Sequence, residues 1–107
     1  MPRYLLRASY TPEAWATLVK NPQNRREAVR PIIEAMGGRL EGFYFAFGED
    51  DVFLLVEGTD NVSTAAISMA VSASGAVKSL STTVLMTAEE AMEAMGKAKG
   101  VGYRPPA

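Results

Sequence analysis

A chain of 107 residues with 48% hydrophobic and 21% charged content fits one globular domain and leaves no room for a second core. Its net charge of -1 gives no general attraction to nucleic acid or to an anionic membrane, and apolar runs such as residues 52–56 are far too short to cross a bilayer. The absence of cysteine and histidine excludes disulfides, thiolate nucleophiles, the usual neutral-pH base and the commonest metal ligand.

No metal site and no cofactor are therefore expected, and hydrolase triads of the usual kind are excluded. Any catalysis must run on carboxylates, tyrosine, lysine, arginine or the substrate itself. The first ten residues lack the long apolar region and small-residue cleavage site of a signal peptide, so a cytoplasmic address is expected.

Residues 3–10 alternate as a strand, with Tyr4, Leu6, Ala8 and Tyr10 on one side and Arg3, Leu5, Arg7 and Ser9 on the other. Thr11-Pro12-Glu13 then starts a helix with a capping hydroxyl, a proline at the first helical position and an acid in the first turn. Asn21-Pro22 repeats that signal, which predicts a short helix followed by a second one running to Met36 and ended by Gly37-Gly38. Pro31 falls inside the second helix and predicts a kink.

Residues 39–47 form the second predicted strand, with Phe43, Phe45 and Phe47 on one face and Leu40, Gly42, Tyr44 and Ala46 on the other. Glu49-Asp50-Asp51 makes the turn into a third strand at residues 52–57. Asp60 caps a helix over about residues 61–74, whose expected buried side is Val62, Ala65, Ala66, Met69 and Ala73. A fourth strand over residues 77–86 leads into Thr87-Ala88-Glu89-Glu90, a full capping box, and a helix with Ala88, Met92 and Met95 along one stripe. Residues 1–98 read as one domain and residues 99–107 as a flexible tail, or an arm lying on a neighbour.

This order predicts an α+β, ferredoxin-like βαββαβ sandwich with an extra C-terminal helix and one four-stranded antiparallel sheet. The third strand adds a constraint. Val52, Leu54 and Val56 point one way and Phe53 and Leu55 the other, so both faces need cover, although an antiparallel sheet with one wet face should alternate. One helical layer covers one face. A second copy of the chain is the simplest cover for the other, giving a homodimer or larger ring.

Met1-Pro2-Arg3-Tyr4-Leu5, Thr11-Pro12-Glu13, residues 25–29 (RREAV), Gly37-Gly38 and Gly48-Glu49-Asp50-Asp51, in that order and spacing, resemble the GYD domain family. The resemblance spans most of the chain and implies a dimeric α/β barrel, in which two ferredoxin-like sheets pack face to face. Barrel relatives of that family include cofactor-free monooxygenases, isomerases, decarboxylases, haem-handling proteins and ligand binders, while the family itself implies no particular activity. The family pattern carries tyrosine where this chain has Asp50, so no role resting on a phenol at that turn carries over.

Candidate site residues follow from these placements. Consecutive Glu49, Asp50 and Asp51 diverge on a turn and supply too few oxygens for a hard cation, leaving either a solvated hairpin turn or one acid, Asp51 before the others, facing an inter-sheet cavity or contacting a partner subunit. Arg3 and Arg7 share one face of a central strand and need a carboxylate such as Glu41 or Glu57, or an anionic ligand. Tyr10, Trp15 and Tyr44, with Tyr4 and the phenylalanines, serve either core and interface packing or a pocket for a small apolar ligand. Arg25, Arg26 and Arg30 read as a salt-laced solvent face, and no nucleic-acid or membrane partner is expected.

Two functions remain. One is a homo-oligomeric small-molecule-binding or structural protein with a cavity between packed sheets. The alternative is a cofactor-free isomerase or monooxygenase on an aromatic or enolisable substrate, with Tyr44 or Tyr10 as acid, Glu41 or Asp51 as base and Arg3 or Arg7 holding an anionic group.

Overall fold

Four polar side chains set where the helices begin. The Thr11 hydroxyl accepts the Ala14 N–H at 3.2 Å and opens α1 (Pro12–Lys20). Asn24 accepts from Glu27 N–H at 3.3 Å and opens α2 (Arg25–Ala35); Asp60 accepts from Ser63 N–H at 2.7 Å and opens α3 (Asn61–Ala73). Thr87 and Glu90 exchange both bonds of a capping box, at 3.1 and 2.9 Å, and open α4 (Ala88–Ala98). The computed structural model describes residues 2–107.

The start expected at Asn21 is corrected. Asn21 donates its N–H to the Thr17 carbonyl at 2.9 Å and closes α1; the second start lies three residues later. Pro22 ends α1, because its ring disfavours helical backbone at Asn21, which sits at φ -133°, ψ 77°; α2 starts instead behind Asn24, whose side chain takes the capping role. Pro31 lies inside α2, which continues through it to Ala35. Gly37, at φ +82°, then takes the left-handed conformation that turns the chain out of the helix.

Strands β1 (Arg3–Tyr10), β2 (Arg39–Phe45), β3 (Val52–Glu57) and β4 (Val77–Leu85) form one antiparallel sheet in the order β2-β3-β1-β4. With helices in both crossovers this is the α+β, ferredoxin-like arrangement. The register pairs Tyr4 with Val56, Leu6 with Leu54 and Ala8 with Val52, so these side chains share the helical face. The core gathers there: Tyr4, Leu6, Leu40 and Val56 from the sheet meet Ile33 of α2, which is 0% exposed, and Ile67 of α3.

Two expected faces are corrected. Strand β2 ends at Phe45, two residues short of the expected end, and Phe47 is fully exposed in the loop. Within β2, Leu40 faces Val56 and Gly42 faces Leu55, which leaves Glu41 as the extra residue of a bulge. The bulge resets the alternation, so Leu40 joins Phe43 and Phe45 on the helical face instead of opposing them. In α3 the buried residues are Thr64 and Ile67, with Val71 partly buried; of the expected buried side only Ala66 faces inward, toward a gap beside α2, whereas Val62, Ala65, Met69 and Ala73 are exposed. Thr59 and Thr64 share a hydroxyl bond of 2.8 Å, and Thr64 also donates to the Asp60 carbonyl at 2.7 Å. Those bonds fix the rotation of a helix whose apolar residues lie on all sides.

The opposite face of the sheet carries Arg3, Leu5 and Arg7 of β1, Phe53, Leu55 and Glu57 of β3, and Tyr44 of β2. No helix among the described residues covers it: Leu55 is 39% and Tyr44 65% exposed. None of the residues of α4 is buried either, with Met92 70% and Met95 66% exposed. The radius of gyration is 17.2 Å, against about 13 Å for a compact chain of this length. The C-terminal helix and the residues after it therefore project from the body. No helix among the described residues is long and apolar enough to cross a membrane.

Candidate functional site

Helix α2 packs over β2 and α3 over β4, and the two leave a gap above the middle of the sheet. Leu6 and Leu54 floor this cleft, Val29 and Ile32 of α2 form one wall, and Ile67 and Ala70 of α3 form the other. Its volume is about 350 Å³, at the small end of the ~300–1,000 Å³ typical of ligand sites. The small residues Ala66 and Ala70 make room that longer side chains would fill.

One end of the cleft is polar. Tyr10 at the end of β1 and Arg25 at the start of α2 line both the cleft and an adjoining cavity of about 320 Å³ bordered by Glu13, Thr17, Gln23 and Ser74. Burial pushes the Tyr10 phenol above its ordinary pKa; the Arg25 guanidinium beside it pulls the other way without reversing the shift. The phenol therefore stays protonated and able to donate at neutral pH. Arg25 was expected on a salt-laced surface with Arg26 and Arg30. Only Arg30 has that environment, between Glu27 and Glu34. Arg25 is half-buried and donates to the neutral Gln23 at 2.8 Å.

The sequence-derived candidates divide between the two faces of the sheet. Tyr10, Trp15 and Asp51 come together on the helical side, where Asp51 Oδ2 accepts the Tyr10 backbone N–H at 2.9 Å and Trp15 Nε1–H at 3.3 Å. The Tyr10 and Trp15 rings meet edge to face at 5.2 Å, and Phe45 and Phe43 extend the cluster. Arg3, Arg7 and Tyr44 lie on the bare side. Arg3 pairs with Glu57 at 3.0 Å and Arg7 with Asp50 at 3.8 Å.

The acidic stretch is a loop whose three residues diverge. Asp50 turns to Arg7, Asp51 to Tyr10 and Trp15, and Glu49 offers its backbone carbonyl to the Ser9 hydroxyl at 2.7 Å. Among the described residues no group of three or more carboxylates is placed to hold a metal ion. The set named for the enzymatic alternative is divided: Tyr10 and Asp51 meet on the helical side, while Tyr44 and the anion-holding Arg3 and Arg7 lie on the bare face. Arg39 donates to Glu41 at 2.7 Å and holds that carboxyl below the ordinary range, the reverse of what a neutral-pH base requires. Asp51 is occupied by two donors.

Sequence reasoning missed Arg25 and the α3 alanines as cleft residues. The available signal was RREAV itself: of its two leading arginines, only Arg26 has the pattern of a solvent residue once Asn24 is taken as the cap.

The fold and this cleft define a small α+β domain of ferredoxin-like architecture with an apolar site between its helices. A GYD domain model matches residues 4–95, and the chain belongs to that family. No curated protein and no solved structure matches it.

Proposed function

We propose that the chain is a homo-oligomeric small-molecule-binding domain whose ligand occupies the cleft between α2 and α3. The observation that carries this reading is the cleft itself: a pre-formed space of about 350 Å³ with aliphatic walls and one polar end. A half-open groove of this size with an apolar lining has the shape and chemistry of a small-molecule site. The bare sheet face supports the oligomeric part. Phe53 and Leu55 there extend an apolar strand already buried on its other side, and a second copy would cover them.

Native mass spectrometry of freshly purified protein tests both parts. The expected result is an oligomer carrying a small molecule that Ala70→Trp, filling the cleft, removes without changing the subunit count. A molecule retained by Ala70→Trp but lost on Tyr44→Ala would move the site to the bare sheet face and reject the cleft.

A further inference from the structure

Resting on the cleft as the binding site, we infer that its ligand is a singly charged organic anion with an apolar body, its head held between Arg25 and Tyr10 and its body lying along Leu6, Val29 and Ile67. The first ground is charge. Arg3, Arg7, Arg30 and Arg39 each face a carboxylate within salt-bridge distance. Arg25 faces none among the described residues. Arg26 and Arg104 also lack one, but both are solvent-exposed, whereas Arg25 is half-buried against an apolar wall. A guanidinium does not lose its proton in proteins, so this site keeps a positive charge, and withdrawing it from water without a counter-charge is unfavourable. An anion supplies the missing partner in a geometry that guanidinium matches with two parallel bonds.

The second ground is position. Arg25 and Tyr10 stand at the waist between the aliphatic cleft and the polar cavity of Thr17, Gln23 and Ser74. A molecule with its polar group at the waist keeps its apolar part dry and its head within reach of water. Arg25 and the protonated Tyr10 both offer donors, which fits an acceptor group and opposes an ammonium. Glu13, bordering the polar cavity, sets the limit on the other side. Its charge repels a head carrying two negative charges, so a carboxylate fits better than a phosphate monoester.

Octanoate, octanol and octylammonium serve as probes of equal chain length in isothermal titration calorimetry of the oligomer. Octanoate is expected to bind at least about tenfold more tightly than octanol, the scale of a hydrogen bond to a charged group, and octylammonium not to bind. Arg25→Gln should abolish the preference, bringing the affinity for octanoate down to that for octanol; Arg25→Lys should keep part of it. Equal affinity of octanoate and octanol for the wild type, or a preference surviving Arg25→Gln, overturns the anion assignment while leaving the cleft standing. Binding of neither octanoate nor octanol overturns the cleft and this inference together. Ala70→Trp, or Ile32→Trp from the opposite wall should the first fail to fold, must remove binding of both; if either variant folds and still binds them, the site is elsewhere.

Discussion

Asp51 Oδ2 accepts the backbone N–H of Tyr10 at 2.9 Å, so the last residue of the acidic loop ties down the last residue of β1, 41 positions away. The same oxygen takes Trp15 Nε1–H and thereby orients α1 against the sheet. Asp51→Ala leaves both donors without a partner and should lower stability by about 1–3 kcal/mol. Asp51→Asn keeps an acceptor oxygen and should recover part of it. Urea denaturation followed by Trp15 fluorescence measures both. An unchanged midpoint in Asp51→Ala would remove the loop from the list of stabilising contacts.

Neighbouring glycines at the end of α2 should respond for different reasons. Gly37 sits at φ +82° with open space around it, so Gly37→Ala meets only backbone strain, about 1–2 kcal/mol. Gly38 has ordinary backbone, but an added Cβ would stand 2.5 Å from Thr59 Cγ2 and 3.2 Å from Ile33 Cγ2, inside the core, and the overpacking should cost about 1–3 kcal/mol. Gly96, in α4 with nothing nearby, should gain about 0.5–1 kcal/mol of helix stability on replacement by alanine. Thermal melts of the three variants rank them.

The bare sheet face and α4 make one prediction about assembly. An exposed helix of eleven residues is marginal in water even with a good cap, so the helicity of α4 calls for a partner surface. Leu55→Arg should lower the sedimentation coefficient to that of a single chain. Hydrogen exchange of the α4 amides should speed up in Met92→Glu if the helix lies on a second copy. A wild-type chain that sediments as a monomer at micromolar concentration would remove the oligomer from the proposal.

Stability should fall on the alkaline side through Tyr10. Burial raises its pKa in the folded chain, so the unfolded chain loses this proton first. The contribution is complete below about pH 10, the unfolded value, and disappears as pH rises from there through the folded value. Tyr10→Phe should flatten that decline, read as the difference between the two proteins in urea denaturation from pH 8 to 11. Glu41, held low by Arg39, acts in the opposite direction: its contribution is present above the unfolded carboxylate pKa and fades as acid is added.

Most element ends decided by one residue's chemistry were legible, the start of α2 at Asn24 excepted. Thr11-Pro12, Asp60 and the Thr87–Glu90 box each act over three or four positions, and the left-handed turn at Gly37 is equally local. The sheet order followed from the element order, and the divergence of Asp50 and Asp51 followed from their adjacency. What stayed hidden depends on contacts between distant segments. Helix α3 is apolar around its whole circumference, so periodicity alone cannot choose the side that Thr59 and Thr64 select. The cleft exists because α2 and α3 settle over different strands, and no spacing along the chain encodes the gap between them. Arg25 reads as one more surface charge until the cap at Asn24 sets its angle toward Tyr10.

The bulge at Glu41 makes β2 two short strands with opposite phase. Excising that one residue would restore simple parity and swap the sides to which Arg39 and Leu40 point, sending an aliphatic group to the bare surface and a guanidinium into the interior. Length changes of one residue in this segment therefore exchange the two faces, and the residue count of the strand is locked.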